Sequence, residues 1–264
     1  MNIRYADDHE GLDQALFASA AGVDADGPGD WVQLSPSRPE PATLTTRRDA
    51  VEAAGGRLLA VVPEALLWPR LLPDAERFLH VDCRRDHARI SVVEGGERLA
   101  LVRTVDESGA GVQTLEKRVK LGVAEHSVRE TRYDPMHNGA AERELNRRLV
   151  EGIGDLLSGR DLPLQLGSER LRLSPDLLTG WCQPVWTQLV ASLRREFSAG
   201  TAILVSPGAA KLPNLESALM AAFGEAVTSI PISESRDAAT LGAWLEADLP
   251  GYGCWLLQTR PRTI

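Results

Sequence analysis

The sequence predicts an α/β fold in which a mixed sheet is flanked by helices. Three observations carry that expectation. Apolar runs of strand length, such as "RLLAVVP" and "TAILVSPG", alternate with amphipathic stretches of helical length. Short turns join some of these runs into hairpins, so the sheet is not wholly parallel. Hydrophobic residues are 43% and charged residues 25% of the 264-residue chain, enough for one large domain or two small lobes.

Along the chain, residues 11–21 read as a short helix, and "DADGPGD" at 24–30 is a turn-rich break. "WVQLSP", 31–36, reads as a short strand. "TLTTRRDAVEAAGG", 43–56, reads as a helix closed by Gly55 and Gly56. "RLLAVVP", 57–63, suits a buried strand. "FLHVDC", 78–83, and "ARISVVE", 88–94, follow. Gly95-Gly96 then turns the chain into "RLALVRTV", 98–105, so 88–105 reads as a hairpin. The stretch 106–138 is ambiguous between helix and partial strand, with Val119 and Val123 at helical spacing. In 139–158, Leu145, Leu149, Ile153 and Leu156 form an apolar helical stripe. A hairpin around Gly167-Ser168 spans 162–173. Ser174-Pro175-Asp176 is a helix start, with a cap, a proline at the first helical position and an acid in the first turn. The helix 174–198 carries Leu178, Trp181, Val185, Leu189, Leu193 and Phe197 on one face, and Pro184 should kink it. A buried strand at 201–206, a helix at 212–224, a short strand "AVTSIPI" and an amphipathic helix at 235–248 complete the reading.

Composition removes several function classes. No apolar run reaches the ~18 residues of a membrane helix, which argues against membrane insertion. "MNIRYADDHEGLDQ" is acidic and polar, unlike a signal peptide. Cys83, Cys182 and Cys254 are far apart and form no CxxC pair, so a disulfide framework or structural zinc is not expected and a cytoplasmic setting fits. A formal charge of −8 argues against a nucleic-acid partner. The five histidines show no metal-ligand spacing, and neither GxxxxGK nor GxSxG occurs. Trp181, Trp186, Trp244 and Trp255 read as core residues; any left exposed would mark a partner surface.

Five blocks then fall in the order of one family. "WVQLSPSRPEPATLTTRRDAVEAAGGRLLAVVPEALL", "FLHVDCRRDHARISVVEGG", "ELNRRLVEGI", "RLRLSPDLLTGWCQPVWTQLVASLRREF…AILVSPGAAKLPNLESALMAAFG" and "RDAATLGA" resemble successive parts of the ATPase domain of DnaK-type heat-shock chaperones. The resemblance covers roughly residues 31–245. It implies an actin-like (ribonuclease-H-like) α/β fold. The fold is expected to be truncated at the N-terminal lobe and in the outer second lobe, since the family's first phosphate loop and catalytic lysine have no counterpart. Residues 1–30 then form an extension, 31–77 a remnant of the first lobe, 78–249 the second lobe with a variable insert at 106–138, and 250–264 a tail.

The resemblance also nominates a site. Asp82 falls on the aspartate that positions magnesium and its waters, and Glu64 on a glutamate that helps hold the attacking water. Gly208 falls on a glycine that approaches the nucleotide. The three glycines of the family's second phosphate loop, "DLGGGTFDVSVVEVG", are Arg84, Arg85 and Asp86 here. Such glycines let backbone amides approach phosphate; Asp86 would repel it, whereas Arg84 and Arg85 offer charge to an anion. Taken locally, the same residues read as a solvated charged turn, Glu64 as a helix-start carboxylate, and 207–210 as a packing turn in which Pro207 lacks an amide donor. The expectation is a non-catalytic pseudo-ATPase, without cofactor, that works as a scaffold or regulatory module with a protein partner or a second copy. The alternative is a minimal ATPase that uses ATP and Mg2+ through Glu64 and Asp82, completed by a partner chain.

Overall fold

The structure is a computed structural model that describes residues 30–35, 41–53, 55–66, 68, 75–95, 99–230 and 255–256. The helices expected at 11–21 and 235–248, and the turn at Gly96, lie outside the described residues. The elements run β1 (Asp30–Ser35), α1 (Pro41–Ala53), β2 (Arg57–Pro63), β3 (Arg77–Cys83), β4 (Ala88–Glu94) and β5 (Ala100–Glu107). There follow α2 (Val112–Thr131), α3 (Gly139–Leu157), β6 (Leu162–Leu166), β7 (Glu169–Leu173) and α4 (Pro175–Glu196). The last are β8 (Thr201–Val205), α5 (Leu215–Phe223), β9 (Val227–Ser229) and β10 (Trp255–Leu256).

The fold is α/β. A five-stranded mixed sheet runs in the order β5-β4-β3-β8-β9. β3, β4 and β5 form an antiparallel meander; β8 lies parallel to β3, and β9 parallel to β8. A smaller sheet pairs β1 parallel to β2 and β10 antiparallel to it. The two residues 255–256 of that strand fall within the expected tail, 250–264. β6 and β7 make the expected hairpin, closed by Gly167-Ser168. The strand expected at 98–105 begins at Ala100 and extends to Glu107, and its register against β4 slips by one residue at Val102. That bulge lies in the outermost strand of the sheet. The ambiguous stretch 106–138 resolves into the end of β5, the helix α2 and a turn.

Alternation along β3 sets the two faces of the sheet. Leu79 and Val81 join Ile90, Val92, Ile203 and Val205 in one buried core. Helix α4 covers it with Leu178, Cys182, Val185, Trp186, Leu189 and Leu193, and α2 adds Leu115, Val119 and Val123. Phe78 and His80 occupy the opposite face, beside their register partners Val93 and Ser91 on β4 and Ala202 and Leu204 on β8, all buried. A strand buried on both faces accounts for the near-continuous apolar run of β3.

Ser174 caps α4 as expected, its hydroxyl accepting from the Leu177 amide. Pro184 lies inside α4, which runs from Pro175 to Glu196. Pro184 and Gly180 are both exposed, so the Gly180 carbonyl that proline leaves without a helical donor can turn to water. Helix α2 packs against α4 where Gly122 meets the indole of Trp181; a side-chain carbon at Gly122 would overlap that ring. The stripe in α3 is as expected, with Leu145 and Leu156 buried and Leu149 and Ile153 partly so. No helix among the described residues is long and apolar enough to cross a membrane.

Candidate functional site

The candidate site lies where β3 and β8, two parallel neighbours, reach their carboxyl ends. Asp82 is the second-last residue of β3, opposite Arg89 of β4. Residues 84–87 connect the strands in a tight turn closed by the Arg84 amide donating to the His87 carbonyl at 2.8 Å. The turn carries the carbonyls of Arg84 and Arg85 toward helix α2. They accept from the amides of Val112 and Gln113 at 2.9 and 2.7 Å. A helix start leaves such amides without intrahelical partners, and they are ready donors to an anion. Here the turn consumes two of them. Gly111 makes this approach possible, because a side-chain carbon there would overlap the Asp86–His87 peptide.

The Asp82 carboxylate is engaged on both oxygens. Oδ1 accepts from the Ser206 hydroxyl at 2.8 Å, and Oδ2 lies 3.0 Å from Nη2 of Arg84. Ser206 is itself fixed: its amide donates to the Val81 carbonyl at 2.9 Å, and its hydroxyl accepts from the Ala209 amide at 3.2 Å. Beside this lock is a second charge cluster. Arg89 grips Asp106 with two hydrogen bonds of 2.8 and 2.9 Å. His87 places Nδ1 at 2.6 Å from Asp86 and Nε2 at 3.5 Å from Asp106. The hydrogen bond from Arg89 holds the Asp106 carboxyl below the usual carboxylate range, against its partial burial, with the charges of Arg89, His87 and Arg84 adding to it.

Two neighbours on β3 are tuned by burial. His80 is 3% exposed and its Nε2 has no hydrogen-bond partner. Burial pushes its pKa down to about 4; the charge of Asp82 opposes this and that of Arg84 adds to it. The Cys83 thiol, packed against the core, is pushed up to about 12 by burial and then by Asp82, so it is no thiolate nucleophile near neutrality.

The residues nominated from the sequence are dispersed in role. Asp82 and Arg84 come together as an ion pair. Arg85 is exposed on the turn. Gly208 has an ordinary helical conformation, φ −69° and ψ −47°, and a side-chain carbon there would meet nothing within 4 Å. It leads into a short 3-10 turn, Ala209–Lys211, whose Ala209 is fully buried. Glu64 opens another 3-10 turn, Glu64–Leu66, directly after β2, and that turn packs on β4 and β5. Its side chain lies outside the described residues. Ser206, Asp106 and the unpartnered His80 escaped the sequence reading. A serine directly after the buried strand β8 was the available signal for Ser206. Among the described residues, no group of three or more His, Cys, Asp or Glu side chains is arranged to hold a metal ion. No protein-family model matches the chain, and none of the curated proteins matches it.

Proposed function

We propose that the chain is a non-catalytic, chaperone-ATPase-like protein, a pseudo-ATPase that acts through protein contacts as a scaffold or regulatory module in the cytoplasm. One observation carries this reading. The turn that replaces a phosphate loop points its carbonyls into the start of α2, while Arg84 and Ser206 occupy the Asp82 carboxylate. Phosphoryl transfer depends on donors and cations preorganised around the phosphates. Carbonyl oxygens and the exposed Asp86 offer the opposite polarity. Magnesium takes oxygen ligands and keeps several waters; both oxygens of the Asp82 carboxylate are instead engaged by Arg84 and Ser206, and the arginine supplies the positive charge beside it. The residues present therefore do not fit Mg2+-ATP.

The actin-like part of the reading is supported by the sheet. A mixed five-stranded sheet flanked by helices, as that reading expects, is compatible with it. The partner is a protein or a second copy of this chain. The minimal-ATPase reading keeps one point in its favour: Asp82 stands at the carboxyl end of a strand beside a parallel neighbour, where open α/β sheets place ligands. Titration with Mg2+-ATP in a calorimeter separates the two. The pseudo-ATPase gives no saturable heat. Micromolar binding that Asp82→Ala abolishes favours the ATPase instead.

A further inference from the structure

We infer that the β10-side edge of β2 is a strand-acceptor site for a partner protein. The partner supplies an extended apolar segment that adds antiparallel to β2, and the chain's own Trp255–Leu256 caps the edge until it does. This edge belongs to the smaller sheet, whereas Asp82 belongs to the larger one, so a nucleotide titration neither supports nor removes it.

The pairing of β2 is lopsided. On one side β1 runs parallel to it along its length, from Asp30 against Arg57 to Ser35 against Pro63. On the other side β10 pairs with Val61 and Ala60 alone. Among the described residues, no further strand pairs with that edge. Backbone donors and acceptors left on a strand edge are a template for another chain.

Between Arg57 and Pro63, β2 reads Leu-Leu-Ala-Val-Val, without a charged or polar residue. An unbroken apolar run suits a strand with neighbours on both sides and cover on both faces. The larger sheet guards its edges differently. Its outermost strand β5 slips register against β4, and it carries Arg103 and Asp106, both held in ion pairs. Its opposite edge, β9, is only three residues long. Bulges, charges and shortness are ordinary protections of an edge. β2 is seven residues long and uncharged between its ends; its ladder with β1 slips at Leu59, beside the residues that β10 covers.

The cap shows what fits this edge. β10 is antiparallel, apolar and two residues long. Main-chain hydrogen bonds give strand addition its affinity, and two residues supply few of them. Covalent attachment through residues 230–254 makes up for this by raising the local concentration of the segment. A partner segment of ordinary strand length, about six residues, pairs along far more of β2 and competes with the cap.

The test is fluorescence anisotropy with a labelled synthetic peptide of residues 251–260 carrying Cys254→Ser. It is titrated with the full chain, as wild type and as the double variant Trp255→Pro with Leu256→Pro. The prolines remove two strand amides and leave the rest of the chain in place. The double variant is expected to bind the peptide saturably. The wild type is expected to bind it roughly tenfold or more weakly, because its own cap competes. The peptide bearing Trp255→Pro and Leu256→Pro is expected not to bind. Equal affinity of the two proteins, a folded double variant that ignores the peptide, or undiminished binding of the proline peptide overturns the inference. A double variant that circular dichroism shows to be unfolded also overturns it, because β10 is then an obligatory strand and not a cap. Light scattering separates a second copy from a partner: a double variant that dimerises and excludes the peptide overturns the inference in favour of self-pairing at β2.

Discussion

Lowering the pH from 7 to 5 should destabilise this protein through His80. The histidine is buried on β3 with an unpartnered Nε2, and its folded pKa is about 4 against 6.5 for the ordinary residue. A depressed folded pKa means that the unfolded chain binds the proton first. The contribution to stability is therefore complete above pH 6.5 and is lost as pH falls toward 4. The linkage relation with these two values gives a loss of about 2 kcal/mol at pH 5 and about 3 kcal/mol by pH 4. That is a large share of the ~5–15 kcal/mol typical of a folded domain. Asp106, held below its ordinary value of 3.8, loses its contribution only at lower pH, so it does not mask the effect. The assay is urea unfolding at pH 7 and pH 5 for the wild type and for His80→Leu, which keeps a similar volume and cannot titrate. The wild type should lose about 2 kcal/mol across this interval and the leucine variant much less. Equal losses in the two proteins would refute the argument that burial of a neutral His80 sets this slope.

Other outcomes follow from the packing. Gly122→Ala drives a methyl into Trp181 at the α2–α4 contact and should cost about 1–3 kcal/mol, read from urea midpoints; Trp181→Ala beside it should relieve part of that cost. Ser174→Ala removes the acceptor for the Leu177 amide and should cost about 1 kcal/mol, a change also visible as a lower Tm. Trp186→Phe keeps the buried ring but loses the 2.7 Å bond from its indole N–H to the Pro213 carbonyl, which is then left without its donor; about 1–2 kcal/mol should be lost. Leu189→Ala, at a fully buried position of α4, should cost about 2–5 kcal/mol by the same unfolding measurement.

Much of this fold was legible because its elements carry strong local signals. The stripe of α3 and the cap of α4 are periodic and sharply bounded, and both stand where their residues place them. The hairpin 162–173 follows from a two-residue turn between alternating leucines. The helix α2 was hard to read for a physical reason. Its buried residues, Leu115, Val119, Gly122, Val123, Ala124 and Ser127, include small and polar ones, with Gly122 lying against Trp181, and lack the hydrophobic weight of a clear stripe. Pro184, where a kink is expected, lies inside α4 and faces water. The two residues of β10 carry no pattern at all; only their pairing with β2 makes them a strand.

The site was less legible than the fold. Asp82 and Arg84 were visible as residues, but their closure into one pair depends on Arg84 folding back, which spacing does not specify. Ser206 follows the neighbouring strand β8, more than a hundred residues along the chain, and meets Asp82 through the parallel pairing of β3 with β8. The capping of α2 by the carbonyls of Arg84 and Arg85 has no side-chain signature, since backbone atoms make it.

The central claim is that this rim is closed to nucleotide by its own arginine, serine and backbone. Equilibrium titration of Mg2+-ATP into the wild type and into Asp82→Ala tests it most directly. Neither protein is expected to give a saturable signal. Micromolar binding by the wild type that disappears on removal of the Asp82 carboxylate would contradict the claim.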